Sequence, residues 1–234
     1  MKYFFLILFA LPLTIRAQPV ENRYFFYQLY QLDSIGKSSS FTRHFGELYF
    51  QFLGLVDNQL RKADTPTYRL VRHFQAVFAR FYIDACDSFY QKKQISDPAW
   101  RTYFSDTTLT AAQYYLLGAN AHLNGQLAEA IGNSYTPEEW KQLKKKYKLF
   151  NKCLNETYRY VFRETLRSSE RTRWFHILSL GFDRITGSYY LYKWRKRQMR
   201  LTEYYFAGSV RYKKLFEKIN SKKERIDKLV LTRF

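Results

Sequence analysis

The stretch from Leu109 to Gly132 reads L-T-A-A-Q-Y-Y-L-L-G-A-N-A-H-L-N-G-Q-L-A-E-A-I-G, and it limits what this chain can fold into. Its pattern predicts a helix. Thr108 or Thr110 can cap the start, and Gly132 suits the left-handed residue past the end. At about 100° per residue the segment divides into three strips. Leu116, Ala119, Leu123, Leu127 and Ala130 form an apolar face that also takes in Asn120 and Asn124. Gly118, Ala121, Gly125, Ala128 and Gly132 form a strip of small residues at spacings of 3, 4, 3 and 4. His122, Gln126 and Glu129 lie together on nearly the opposite side from the apolar face. An interior Gly costs roughly 1 kcal/mol against Ala, so Gly118 and Gly125 imply that another backbone approaches closely. A helix with two packed faces belongs in the middle of a bundle.

The flanking segments agree with that architecture. Residues 20–35 read as a first helix, and Phe45, Leu48, Phe52 and Leu55 recur at helical spacing between Phe41 and Leu60. Thr65-Pro66 is a start signal for a helix to about Gln91. Ser96-Asp97-Pro98 opens a short turn or helix that carries Trp100, Tyr103 and Phe104. Thr136-Pro137-Glu138-Glu139 is a capping box, predicting a helix that reaches about Leu166. Further helices are expected from Glu170 to Phe182 and from Tyr189 to Phe206, with Gly208 as the stop. Only nine Gly and five Pro punctuate the chain, which favours long helices over many short strands, and 21 Tyr with 21 Phe supply a large core. The expected fold is an all-α, single-domain bundle of about six to eight helices around the central Gly/Ala-rich helix, at 18–208. A basic, weakly periodic tail is expected at 209–234.

The run Asn120-Ala121-His122-Leu123-Asn124 resembles the signature of an uncharacterised bacterial all-helical family, the domain of unknown function 5995. Its usual form is N-A-H-I-N followed by x-D-L. Phe78 to Ala85 (F-A-R-F-Y-I-D-A) and Trp100 fit the same pattern, and the resemblance spans roughly residues 40 to 170. Where the family carries Asp, this chain has Gln126. The resemblance implies an all-helical fold and brings no activity with it.

Met-Lys, an apolar run from Tyr3 to Ile15, and Arg16-Ala17-Gln18 describe an export signal at 1–17, cut after Ala17, with an uncleaved N-terminal anchor as the alternative. The run is shorter than the about 20 residues of a spanning helix, so no membrane-spanning helix is expected in the mature chain. The protein is then periplasmic or secreted. Cys86 and Cys153 fall on separate predicted helices without a Cys-x-x-Cys neighbour, and read as buried hydrophobes, with a disulfide between them as the alternative that export permits. The formal charge is +19, and residues 193–234 hold 14 Lys or Arg against four Asp or Glu. In Tyr192-Lys193-Trp194-Arg195-Lys196-Arg197 cations interleave with rings. Export sets intracellular nucleic acid aside and leaves an anionic envelope surface or lipid headgroups as the partner of this basic C-terminus.

His122 is the sharpest candidate for chemistry, as general base or ligand, with Gln126 and Glu129 in a row beside it. His73, Arg80 and Asp84 line one edge of the predicted 66–91 helix and are candidate partners. Asn120 and Asn124, amides inside an apolar face, either fix the register of a neighbouring helix or line a ligand pocket. His44, His73, His122 and His176 show no paired spacing such as His-x-x-x-His, so no metal site is indicated and no cofactor is named. No nucleophile elbow or phosphate loop occurs. The expected function is a non-enzymatic binding or structural protein of the cell envelope. The alternative is a hydrolase with a buried polar site centred on His122, with or without a metal.

Overall fold

The computed structural model describes residues 20–38, 40–60, 63–95, 97–146, 152–157, 159 and 182–233. Among the described residues every regular element is helical and no strand occurs. The export segment lies outside the described residues, as do most of the expected helix beyond Lys146 and the one expected from Glu170.

Helices α1 (Val20–Lys37), α2 (Arg43–Leu60) and α3 (Thr65–Tyr90) pack together, α1 lying against both others. The buried stripe of α2 is Phe45, Tyr49, Leu53, Val56 and Leu60. This stripe is rotated from the expected one, leaving Leu48, Phe52 and Leu55 partly buried at its edge. Tyr49 belongs inside because its ring meets Phe45, Phe78 and His122. The cap of α3 is Asp64, whose carboxylate accepts from the Thr67 N–H at 2.8 Å. Thr65, expected as the cap, is already helical. Asp97 caps α4 (Pro98–Arg101) in the same way, accepting from Ala99 N–H at 2.8 Å and fixing the fully buried Trp100.

The central segment is not one regular helix. Thr110 and Gln113 form a capping box for α5 (Ala111–Ala119), residues Asn120–Gln126 form a π-helix, and α6 (Leu127–Ser134) follows. The helix runs through Gly132, which does not end it. α2, α3 and α4 surround this rod together with α8 (Phe182–Phe206) and α9 (Arg211–Arg233). The glycines lie where neighbours come closest. A Cβ on Gly118 would stand 2.3 Å from the Phe45 ring, and one on Gly125 would stand 2.9 Å from the Ala99 Cβ. The close approach is by side chains of α2 and of the α4 turn, not by a bare backbone ridge. Leu116, Ala119 and Leu123, expected as the core face, are only half-buried, while Gln113, Tyr114, Asn120, His122, Asn124 and Gln126 are buried. From Asn120 onward an i→i+5 ladder shifts residues around the axis relative to an α-helical wheel, whereas Leu116 and Ala119 precede it in α5.

The capping box of α7 (Pro137–Lys146) is present as expected, with Thr136 N–H donating to Glu139 and Glu139 N–H to the Thr136 hydroxyl. α8 passes through Gly187 without a break, and Gly208 ends the segment at φ 56°, the left-handed conformation that glycine takes without strain. The segment expected as a weakly periodic tail is the 23-residue helix α9. Its buried positions are Ile219, Lys223, Asp227 and Val230. Two of these four are charged, which hides a regular stripe from a hydropathy reading. No helix among the described residues is long and apolar enough to cross a membrane.

Candidate functional site

The π-helix sits where α3, α4, α8 and α9 meet, and its side chains divide into two environments. On one side is His122, 2% exposed. Its ring stacks on Phe78 with centroids 3.5 Å apart and an interplanar angle of 10°. Tyr49 meets it edge-on at 4.5 Å, Phe45 at 5.5 Å, and Trp100 lies at 5.9 Å. Among the described residues neither ring nitrogen makes a hydrogen bond of ordinary geometry. Burial holds the imidazole well below the usual histidine range, and the Gln126 side chain opposes that only in part. The ring is therefore neutral at physiological pH.

Gln126 connects this aromatic cage to the surface. Its Oε1 accepts from Trp100 Nε1 at 2.7 Å, and its Nε2 donates to the Asp97 carboxylate. Asp97, with Asp84, Glu129, Phe81, Ala85, Ile95 and Pro98, lines a surface cavity of about 410 Å3. Desolvation, then the nearby Asp97 charge, raises the Glu129 pKa. No group of three or more His, Cys, Asp or Glu side chains among the described residues is placed to hold a metal.

The other side of the π-helix is polar and hydrogen-bonded, apart from Asn124 Oδ1, which makes no hydrogen bond among the described residues. Asn120 Nδ2 donates to the Lys223 carbonyl at 2.9 Å and to Asp227 Oδ1 at 2.8 Å, while Asn124 Nδ2 donates to Asn120 Oδ1 at 3.1 Å. Asp227 Oδ2 takes the Lys223 ammonium at 2.7 Å. From α8, the buried Gln198 accepts from Ala128 N–H at 3.0 Å and donates to the Asn124 carbonyl. In an α-helix that carbonyl and that N–H would bond to each other. A side chain inserted into the ladder is a recognised cause of irregular helix geometry. Such an amide bridge keeps both backbone groups partnered inside the π-helical conformation.

A model of the family of unknown function (DUF5995) matches residues 28–233. The chain belongs to that family. The match runs through α9, so the helix that receives Asn120 is part of the family's unit and not an appendage to it. No curated protein is similar enough to match, and no solved structure is either. In this DUF5995 member the specific Asn-Ala-His motif is the π-helix itself. The Gln126 amide both accepts and donates, a bridge that an ionised carboxylate cannot make.

The sequence candidates separate in space. Asp84 and Glu129 share the surface cavity, which Gln126 reaches through Asp97. Arg80 binds Asp84 at 2.6 Å on the outside of α3, and His73 is exposed on the same helix. His122 does not line this cavity. Asn120 bonds residues of α9 and Asn124 bonds Asn120, and neither lines the surface cavity. Sequence reasoning missed Asp97, Gln198, Lys223 and Asp227. Asp97 carried a signal, since an Asp before Pro98 caps a helix and so points inward beside it. Lys223 and Asp227 carried one too, a spacing of four set between Ile219 and Val230. Cys86 and Cys153 are free and buried, their thiols pushed up by burial, Cys153 to about 11.

Proposed function

We propose that this DUF5995 member is a non-enzymatic binding protein of the cell envelope, exported by its N-terminal segment, which docks on anionic surfaces through α8 and α9. The observation that carries the reading is a crowd of cations across these two packed helices. Arg197 above all, then desolvation, Lys218, Lys193 and Arg225, hold the Lys222 ammonium below the usual lysine range. Like charges gathered this way repel one another, and an anionic partner relieves the repulsion. Lys193 also lies over the Tyr189 ring at 4.3 Å, so an aromatic borders the patch. The hydrolase reading draws less support, because Phe78 and Tyr49 pack on His122 and, among the described residues, no second acid or base stands at the ring.

Sedimentation with phosphatidylglycerol vesicles tests the proposal. Each cation near such a surface contributes roughly 1 kcal/mol, so the triple variant Lys218→Glu, Lys222→Glu, Arg225→Glu weakens binding by about 100-fold or more. Binding of the native chain falls with added salt. Wild-type binding by the folded triple variant, or equal binding by an unrelated protein of the same net charge, overturns the reading.

A further inference from the structure

Helix α8 divides into an inner and an outer arc. Leu191, Trp194, Gln198, Leu201 and Thr202 are buried, which fixes the side turned to the central rod. At about 100° per residue, Tyr189, Lys193, Lys196, Arg197 and Arg200 fall on the outer arc. No Asp or Glu occurs from Ser188 to Thr202. On α9, Lys218, Lys222, Arg225 and Leu229 recur at spacings of 4, 3 and 4 and so share one face. The two helices run antiparallel from the turn at Gly208, near which Tyr205 meets Tyr212 with ring centroids 5.8 Å apart. Further along, Lys222 comes within reach of the Arg197 and Lys193 charges. Continued, this register brings Leu229 to the end of the pair that carries Tyr189 and Tyr190. All three side chains are half-exposed. The two rings meet edge-on with 6.1 Å between centroids. The outer surface is therefore graded, with cations along its length and apolar side chains gathered at one end.

We infer, resting on the docking role of α8 and α9, that the partner of this surface is the interface of an anionic lipid bilayer. Tyr189, Tyr190 and Leu229 sit at the boundary between headgroups and acyl chains, and the cations of the two helices lie on the headgroup phosphates. An acidic polymer would neutralise the cations and leave the rings and Leu229 in water. A bilayer takes up both parts of the surface, since its charge lies in a plane and an apolar layer begins just beneath it. Tyr suits such a boundary, because its ring is apolar and its hydroxyl stays wet. Leu229 has no polar end and gains only where water is left behind. The Lys193 ammonium over the Tyr189 ring joins the two parts, so a phosphate met by Lys193 draws the ring to the same depth. The lysine stems add further apolar length below their charges. Three such side chains make a shallow, reversible seat and not a span.

The double variant Tyr190→Ser, Leu229→Ser removes most of the apolar contact and keeps every cation. Both positions are half-exposed, so the fold is retained. Sedimentation of the full chain with phosphatidylglycerol vesicles shows binding weakened by about tenfold or more. Binding to inorganic polyphosphate, a soluble acidic polymer, stays at wild-type strength. Leu229→Trp gives a second, direct reading of depth. On vesicles with brominated acyl chains its added fluorescence is quenched, measured against the native chain, in which Trp100, Trp140 and Trp194 are buried. Wild-type vesicle affinity in the double Ser variant, an equal loss on polyphosphate, or an unquenched reporter on bound protein overturns the assignment. The last two outcomes give the surface to an acidic polymer instead. No vesicle binding by the folded native chain overturns this seat and the docking reading together. Otherwise the two fail separately. Loss in the Lys218, Lys222 and Arg225 triple variant without loss in the Ser variant removes the bilayer seat and leaves the docking. The reverse removes charge-driven docking and leaves the seat.

Discussion

Two ion pairs in this molecule have the same local design. On α3, Arg80 precedes Asp84 by four residues, and on α9, Lys223 precedes Asp227 by four. Their bond lengths are nearly equal, 2.6 and 2.7 Å. Their surroundings are opposite. The α3 side chains are 53% and 50% exposed, the α9 side chains 7% and 5%. Helix spacing brings the partners together in both cases, and only the neighbours decide what the meeting contributes. Outside, water competes for each charge. Inside, the pair is one part of a network that also holds Asn120, and through it the π-helix.

The largest effect expected anywhere in the fold comes from breaking the inner pair. Asp227→Ala leaves a buried ammonium without its carboxylate and Asn120 without one of its acceptors, at a cost of about 3–5 kcal/mol. Chemical denaturation measures it. The double variant Lys223→Met, Asp227→Leu recovers most of that loss, because an apolar pair needs no compensation. A loss below about 1 kcal/mol for Asp227→Ala would erase the distinction between the two pairs.

Next in size is the clamp on α8. Gln198→Leu withdraws the partners of the Asn124 carbonyl and the Ala128 N–H at once, and unpaired buried groups cost about 1–3 kcal/mol each. Stability falls by about 2 kcal/mol or more, and the Ala128 amide exchanges faster with solvent. If stability holds and that amide stays protected, the segment closes into an ordinary α-helix without Gln198. The π-helix would then be an option of the backbone and not a product of the clamp.

How far the sequence carried these features depends on what a residue type says without its neighbours. The bundle, its central rod and the capping box at Thr136 were legible, because apolar spacing and caps are local signals, and of the two caps offered for the rod, Thr108 and Thr110, the structure uses Thr110. Asp64 took the cap from Thr65 for a reason only geometry reveals, the aim of its carboxylate at Thr67 N–H. The π-helix was not legible, since Gln198 lies 74 residues from Asn124 and nothing in either local stretch marks the encounter. Helix α9 was misread as a tail because Lys223 and Asp227 occupy half of its buried positions. His122 was recognised as unusual, but its wheel position placed it beside Glu129, whereas Phe78, Tyr49, Phe45 and Trp100 enclose it.

His122 sharpens the contrast, since it is a titratable group buried with no charged partner among the described residues. Its folded pKa is lowered, by burial first, so the unfolded chain binds the proton more readily, near 6.5. Stability from this group is complete above that value and is lost as pH falls below it, by up to about 1.4 kcal/mol per pH unit until the folded ring also protonates. In His122→Phe this part of the acid dependence disappears, and the ring change itself costs less than about 1.5 kcal/mol at neutral pH. His44, whose pKa is lowered by burial and by Arg43, remains in both proteins and cancels in the comparison. Parallel denaturation curves of the two proteins between about pH 7.5 and pH 5 test this. Identical pH profiles would mean that the imidazole reaches a proton-accepting environment which its aromatic enclosure denies it.

The smallest effect belongs to the outer pair, and its smallness is what makes it informative. A cation placed before its carboxylate is the less favourable order along a helix dipole, and exposure leaves water as a competitor for both charges. A double-mutant cycle with Arg80→Ala and Asp84→Ala should return a coupling of about 0.3–0.5 kcal/mol, which salt reduces further. The same cycle on Lys223 and Asp227 should return a coupling several times larger that salt leaves nearly unchanged, since buried charges are screened little. Asp84 also lines the acid-rich cavity. A coupling above about 1 kcal/mol would therefore mean that the cavity carboxylates, Asp97 and Glu129 among them, raise the value of the Arg80 charge. The outer edge of α3 would then behave as part of a polar site joined to the π-helix through Gln126, and burial alone would no longer separate the two pairs.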